Sequence, residues 1–285
     1  MKRIFIIFLI IIGIYFLFLN PAFFQWSPFV NHANQVEITE EIEKIKIEAH
    51  GVSTKVIPEN RQDLKADLKG KAKLSVKSSG DEVEVTVKKK GFGWFLFRDK
   101  AKLNIYIPED YDRNMDIDLG SGNLEFSGRS KSEPMKLSKL SLDLGSGNVK
   151  LKNLEVKEFE HDGSSGDAEI HSLAVQSGSI EVNSGSLFLK DYTGGLEADV
   201  SSGNLEAQMD KLTDFIDIEV SSGEVDLDLP DNASFILNGK VSSGNISCNF
   251  PLKDQKTDKN KIKGIHGSGE HKIDLEVSSG DIKIY

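Results

Sequence analysis

One bend, spelled eight times, constrains this chain of 285 residues more than any other feature. Its copies read DLGSGNLEF, DLGSGNVKL, DGSSGDAEI, EVNSGSLFL, DVSSGNLEA, EVSSGEVDL, KVSSGNISC and EVSSGDIKI. The corner glycines are Gly122, Gly147, Gly166, Gly185, Gly203, Gly223, Gly244 and Gly280, spaced by 25, 19, 19, 18, 20, 21 and 36 residues. A period close to twenty, with a short strand on each side of the bend, is the signature of a solenoid. Glycine permits positive φ, and an Asn or Asp beside it tolerates left-handed backbone and bonds locally. The residue after the glycine runs Asn123, Asn148, Asp167, Ser186, Asn204, Glu224, Asn245 and Asp281, a column placed to hydrogen-bond from coil to coil.

The flanking columns carry the core. Three residues before each glycine stand Leu119, Leu144, Gly163, Val182, Val200, Val220, Val241 and Val277. Two after it stand Leu124, Val149, Ala168, Leu187, Leu205, Val225, Ile246 and Ile282, and four after it Phe126, Leu151, Ile170, Leu189, Ala207, Leu227, Cys248 and Ile284. The positions between them are mostly polar. Alternate side chains of a strand face opposite ways, so one set lines an interior and the other meets water. A single coil buries almost nothing, whereas coils stacked at ~4.8 Å merge these columns into one core, and eight of them make a rod of roughly 40 Å. The pattern predicts an all-β, parallel β-solenoid over residues 117–285. A β-sandwich or a stack of antiparallel hairpins also uses short strands and Gly turns, but neither has a reason to keep period twenty.

Residues 27–116 read as an irregular β-strand region or N-terminal cap, with EKIKIEAHG and EVEVTVKKK alternating at period two. KSSGD at 77–81 resembles the corners, but Lys77 stands where the copies carry an apolar residue, so it reads as a hairpin or degenerate first coil. Residues 251–269, lysine-rich, read as a mobile surface loop inserted into the last repeat.

Four residues before each glycine runs a charged column: Asp118, Asp143, Asp162, Glu181, Asp199, Glu219, Lys240 and Glu276. Stacking turns it into an acidic ladder, either a solvated face that keeps the rod soluble or a strip for divalent or polycationic groups. No calcium-loop pattern is present. KKKGFGWFLFRDK at 88–100 sets Phe92, Trp94, Phe95, Leu96 and Phe97 among cations. It reads as a lid over the open end of the solenoid or as a tip that enters an anionic headgroup layer. Hydrolase and metal signals are weak. GSSG at 163–166 has the wrong order for a nucleophile elbow, HGSGEH at 266–271 misses the H-x-x-E-H zinc spacing, and Cys248 stands in the inward column without a basic neighbour. No catalytic residue, metal or cofactor is expected.

Lys2 and Arg3 precede an unbroken apolar run from Ile4 to Leu19, and the span extends to Trp26. It is long enough to cross ~30 Å of hydrocarbon, and the preceding cations place the rest outside the cytoplasm. The division is then a cytoplasmic start at 1–3 and a transmembrane anchor at 4–26 in a single-pass cell-membrane protein. A cleaved signal peptide is the competing reading, without an A-x-A-like site to support it. A single cysteine excludes an internal disulfide, and a net charge of −10 argues against nucleic acid as partner.

The order of parts, an apolar N-terminal span and then an array of S-G-[ND] strand corners, resembles the LiaG-type membrane-anchored proteins of the adhesin-like β-strand repeat family. The resemblance implies a surface-exposed, non-catalytic accessory of the Lia cell-envelope stress system, with other envelope proteins or cell-wall polymers as partners. The residues themselves leave a second reading, a carbohydrate-active β-helix enzyme that uses paired carboxylates of the ladder.

Overall fold

A computed structural model describes residues 34–89 and 101–285. The apolar span at 4–26 and the side chains Phe92, Trp94, Phe95, Leu96 and Phe97 lie outside the described residues. Among the described residues there are strands and no α-helix, and hence no helix long and apolar enough to cross a membrane.

The strands in chain order begin with β1 (Gln35–Glu37), β2 (Lys44–His50), β3 (Val52–Glu59), β4 (Asp63–Lys69), β5 (Ala72–Ser79), β6 (Glu82–Lys89) and β7 (Ala101–Pro108). Next come β8 (Asn114–Ser121), β9 (Leu124–Ser127), β10 (Met135–Leu144), β11 (Val149–Gly163), β12 (Ala168–Val182), β13 (Leu187–Ser202), β14 (Leu205–Lys211) and β15 (Ile216–Ser222). The last are β16 (Val225–Asp228), β17 (Phe235–Ser243), β18 (Ile246–Cys248), β19 (Lys253–Asp258), β20 (Lys261–His266), β21 (His271–Ser279) and β22 (Ile282–Ile284). Asn34–Tyr285 form one compact unit.

Equivalent positions of the copies stand side by side in parallel register: Leu119 beside Leu144, Leu144 beside Gly163, Gly163 beside Val182 and Val182 beside Val200. The columns legible in the sequence are the core, with Leu119, Leu144, Val182, Val200, Val220 and Val277 at most 3% exposed. Ile246 and Cys248 are only half-buried, because β18 pairs on one side alone, with β22.

The corners stack as tightly as backbone permits. Gly147 has φ +125°, and a Cβ built there would lie 1.7 Å from the Gly122 carbonyl oxygen, so no side chain fits. The corner N–H groups bond from rung to rung: Gly147 N donates to Ser165 O and Gly166 N to Ser184 O. The column after the glycine bonds as expected. The Asn148 N–H donates to Asn123 Oδ1 (3.2 Å), the Asp167 N–H to Asn148 Oδ1 (3.4 Å) and the Ser186 N–H to Asp167 Oδ1 (3.0 Å). Replacing Asn148 by Ala removes one such acceptor and is expected to cost about 1 kcal/mol, read as a shift in urea midpoint at unchanged m.

A second bend column completes the coil. Asn153, Ser172 and Asp191 adopt left-handed φ of 53–56° at the same place on successive rungs. Gly128 precedes them in that column, and a Cβ on it would meet the Asn153 carbonyl oxygen at 2.2 Å. These residues lie six positions after their corner glycines, a regularity outside the apolar columns.

Chain order and spatial order differ at both ends. Gly223 N donates to Ser279 O, and Gly280 N donates to Ser243 O, so the Gly280 rung sits between the Gly223 and Gly244 rungs. β21 accordingly pairs with β15 on one side and β17 on the other, and β22 with β16 and β18. The residues 251–269 that read as a loop supply β19 and β20, an antiparallel hairpin folded onto β17. The hairpin covers the outer edge of β17 while the chain doubles back to fill the gap beside β15. At the other end, β2/β3 and β6/β7 are two further parallel rungs that continue the stack beyond β8/β9. Antiparallel β4 and β5 close this end, and KSSGD is the β5–β6 hairpin turn, with Gly80 at φ +63°.

Among the described residues Thr54, Thr86, Asn153 and His161 are the buried polar ones, and the histidine is the titratable one. His161 is 4% exposed, between Leu142 and Ile180, and its Nδ1 makes no hydrogen bond with the protein. Its ring takes the room left by Gly163, where a Cβ would stand 3.1 Å from His161 Nε2. This explains the one break in the column three residues before the glycines.

Candidate functional site: an unbroken acidic ladder

The carboxylates four residues before the glycines project outward from the sheet that precedes the corner. Register places Asp118 beside Asp143, then Asp162, Glu181, Asp199 and Glu219 in sequence. Glu219 stands beside Glu276, and Glu276 beside Lys240. In chain order Lys240 interrupts the ladder; in space it closes the end, paired with Glu276. Glu48 extends the other end, beside Asp118. The sequence concealed it because the β2 rung slips by one residue between Glu48 and His50, which puts Glu48 three rather than four residues before Gly51. The result is eight consecutive carboxylates.

Nothing among the described residues neutralises the middle of this row. Glu48 pairs with Lys46 (2.6 Å) and Glu276 with Lys240, but the six from Asp118 to Glu219 make no ion pair there. Two residues earlier on the same face runs a second row: Asp116, Ser141, Glu160, Ser179, Glu197, Asp217 and Asp274. Partial burial, then repulsion from Asp118 and Asp162, holds the Asp143 carboxyl above its ordinary range. Asp217 is raised likewise, by burial first and then by Asp274. Carboxylates at ~4.8 Å repel by about 1 kcal/mol per neighbouring pair in water, less with salt.

The sheet after the corner is an internal control. Its outward row reads Lys55, Glu125, Lys150, Glu169, Phe188, Glu206, Asp226 and Lys283. There Lys55 meets Glu125 (2.5 Å), Lys150 meets Glu169 (2.6 Å) and Lys283 meets Asp226 (3.4 Å). A solenoid needing only a solvated face has charge pairing available, and this row uses it. On the acidic face Lys44, Lys139 and Lys272 pair with Asp116, Glu160 and Asp274 of the second row, and the row from Asp118 to Glu219 has no such partner.

No described cluster of three or more His, Cys, Asp or Glu residues can hold a metal ion. In the HGSGEH stretch, His266 bonds the Pro251 carbonyl through Nδ1 (3.0 Å) and packs on Phe235 and Phe250, a structural role. Burial raises the Cys248 thiol pKa, which disfavours the nucleophilic thiolate.

Stacked parallel coils with glycine corners define an all-β repeat protein. The chain belongs to the Toastrack DUF4097 family, which matches residues 42–285. Among solved structures, a candidate adhesin from Bacteroides fragilis is 16% identical, with TM-score 0.51 over 88% of this chain and 95% of that one. A candidate adhesin from Parabacteroides distasonis is 11% identical, with TM-score 0.47 over 88% and 95%. No curated protein matches.

Proposed function

We propose that this protein is a non-catalytic binding or scaffold module, tethered to the cell membrane by residues 4–26 and displayed outside the cytoplasm. Within its family it acts as a LiaG-type accessory of the envelope stress response. Its recognition surface is the acidic face, and the partner is a polycation rather than a single metal ion. The carrying observation is the unpaired run from Asp118 to Glu219 beside a charge-balanced opposite face. Evenly spaced carboxylates on a flat strip suit a ligand whose positive charges repeat, and fit a hard cation poorly. The solved candidate adhesins of this fold accord with a binding role.

The test is a lysine-rich peptide titrated by fluorescence polarisation against the full chain in detergent. Neutralising three rungs (Glu181→Gln, Asp199→Asn, Glu219→Gln) is expected to weaken binding at least tenfold at low salt. It is also expected to stabilise the fold by about 0.5–1 kcal/mol through relieved repulsion. Unchanged binding by the triple variant would reject the acidic face as the surface. The β-helix enzyme reading would be restored by turnover of a cell-wall polymer that the same substitutions abolish.

A further inference from the structure

The charge of the molecule reverses sign at one corner. β4 ends at Lys69, β5 begins at Ala72, and the turn between them carries Lys71, so Lys69, Lys71 and Lys73 alternate across the outermost bend. Lys69 stands opposite Lys102 across β4 and β7, and Lys73 opposite Lys88 across β5 and β6. All four paired lysines are exposed, and none makes an ion pair with a described residue. Like charges directly opposite each other destabilise a sheet. Two such pairs at one corner of a chain with net charge −10 call for an anionic partner. A groove of about 590 Å³ opens beside β3, β4, β7 and β9, with Lys55, Lys69, Lys102 and Lys150 on its walls together with Asp67 and Glu125.

The chain also enters the folded unit at this end. β1 pairs with β4 in the outermost layer, and Gln35 opens it nine residues after Trp26 closes the apolar stretch. We infer that the corner formed by Lys69, Lys73, Lys88 and Lys102 docks on the anionic lipid headgroups of the bilayer that holds the tether. This rests on reading residues 4–26 as a membrane anchor. Each lysine near an anionic surface contributes modestly and is screened by salt, so the contact sets orientation rather than attachment. A docked corner holds the membrane-entry end down and leaves the acidic ladder facing outward from the rod's flank.

The experiment uses the full chain, with Cys248→Ser, reconstituted in vesicles of phosphatidylcholine alone or with about one third phosphatidylglycerol. A bimane label on Ser75→Cys reports quenching by headgroup nitroxide lipid, and a second preparation carries the label on Thr257→Cys. Thr257 lies on the hairpin at the other end, twelve strand spacings or about 58 Å away. Flotation after alkaline wash reads the tether independently, so its failure is seen separately. The expected result is at least threefold more quenching at Ser75 in anionic than in neutral vesicles, lost in 0.5 M salt and in the Lys69, Lys73, Lys88, Lys102→Gln variant, with no quenching at Thr257. Equal quenching in both lipids, or at both labels, would overturn the proposal. So would a quadruple variant that aggregates but keeps its lipid contact, because the lysines would then only protect a sheet edge from self-pairing.

Discussion

Gly203→Ala is expected to destabilise the fold by about 3–5 kcal/mol, a large part of the 5–15 kcal/mol that holds an ordinary domain together. The glycine sits at φ +147°, where L side chains are strained, and an added Cβ would lie 1.5 Å from the Gly185 carbonyl oxygen. That oxygen belongs to the neighbouring corner, so relief requires two rungs to part and the hydrogen bond from Gly185 N to Ser202 O to lengthen. Gly80 supplies the comparison. It too has positive φ (+63°), but nothing lies within 4 Å of its added Cβ, so Gly80→Ala should cost only about 1–2 kcal/mol of backbone strain. Urea unfolding followed by circular dichroism separates the two. Equal, small losses would mean that the corners are not packed glycine on glycine.

The second large effect depends on pH. Burial pushes the His161 pKa down to about 4, partly offset by the Leu142 backbone. Unfolded, the ring titrates near 6.5, so the unfolded state binds more protons between the two values. Stability is therefore fully present above about pH 6.5 and falls as pH drops toward 4, by at most about 3 kcal/mol. His161→Leu matches the neighbouring Leu142 and should remove this loss while changing neutral-pH stability little. The acidic face acts in the opposite sense. The raised carboxyls of Asp143 and Asp217 make the folded state the better proton acceptor, so protonating them in acid relieves repulsion. Comparing melting temperatures of wild type and His161→Leu from pH 7.5 to 4.5 cancels the acidic face and leaves the histidine. Parallel curves would contradict its burial as a neutral base.

How much of this was legible depended on whether a property repeats. The bend at Gly147 shows in the sequence because its geometry admits only glycine, and the columns through Val200 and Leu205 because a shared core demands the same residue class on every rung. The acidic ladder was visible for the same reason, as far as Asp118 to Glu219. Its ends were not. Glu48 belongs to a rung with one residue fewer before its corner, which shifts it out of the column. Lys240 looked like a break because chain order was taken for spatial order, and no local residue preference reports that β21 slides between β15 and β17. The spacing of 36 before Gly280 was the available sign, since an excursion that long can build a hairpin and return. Asn153, Ser172 and Asp191 escaped notice because left-handed bends accept several residue types, so their column keeps a backbone angle rather than a side-chain class.

The continuity of the ladder rests on the Gly280 rung lying between the Gly223 and Gly244 rungs, and pairwise crosslinking tests that order most directly. In a Cys248→Ser background, cysteines at Ser222 and Ser279, paired side by side in the structure, should form a disulfide under mild oxidation. Cysteines at Ser222 and Ser243, one rung further apart, should not. Rapid bonding of Ser222 to Ser243, with Ser279 left free, would put Lys240 back inside the ladder and contradict the account.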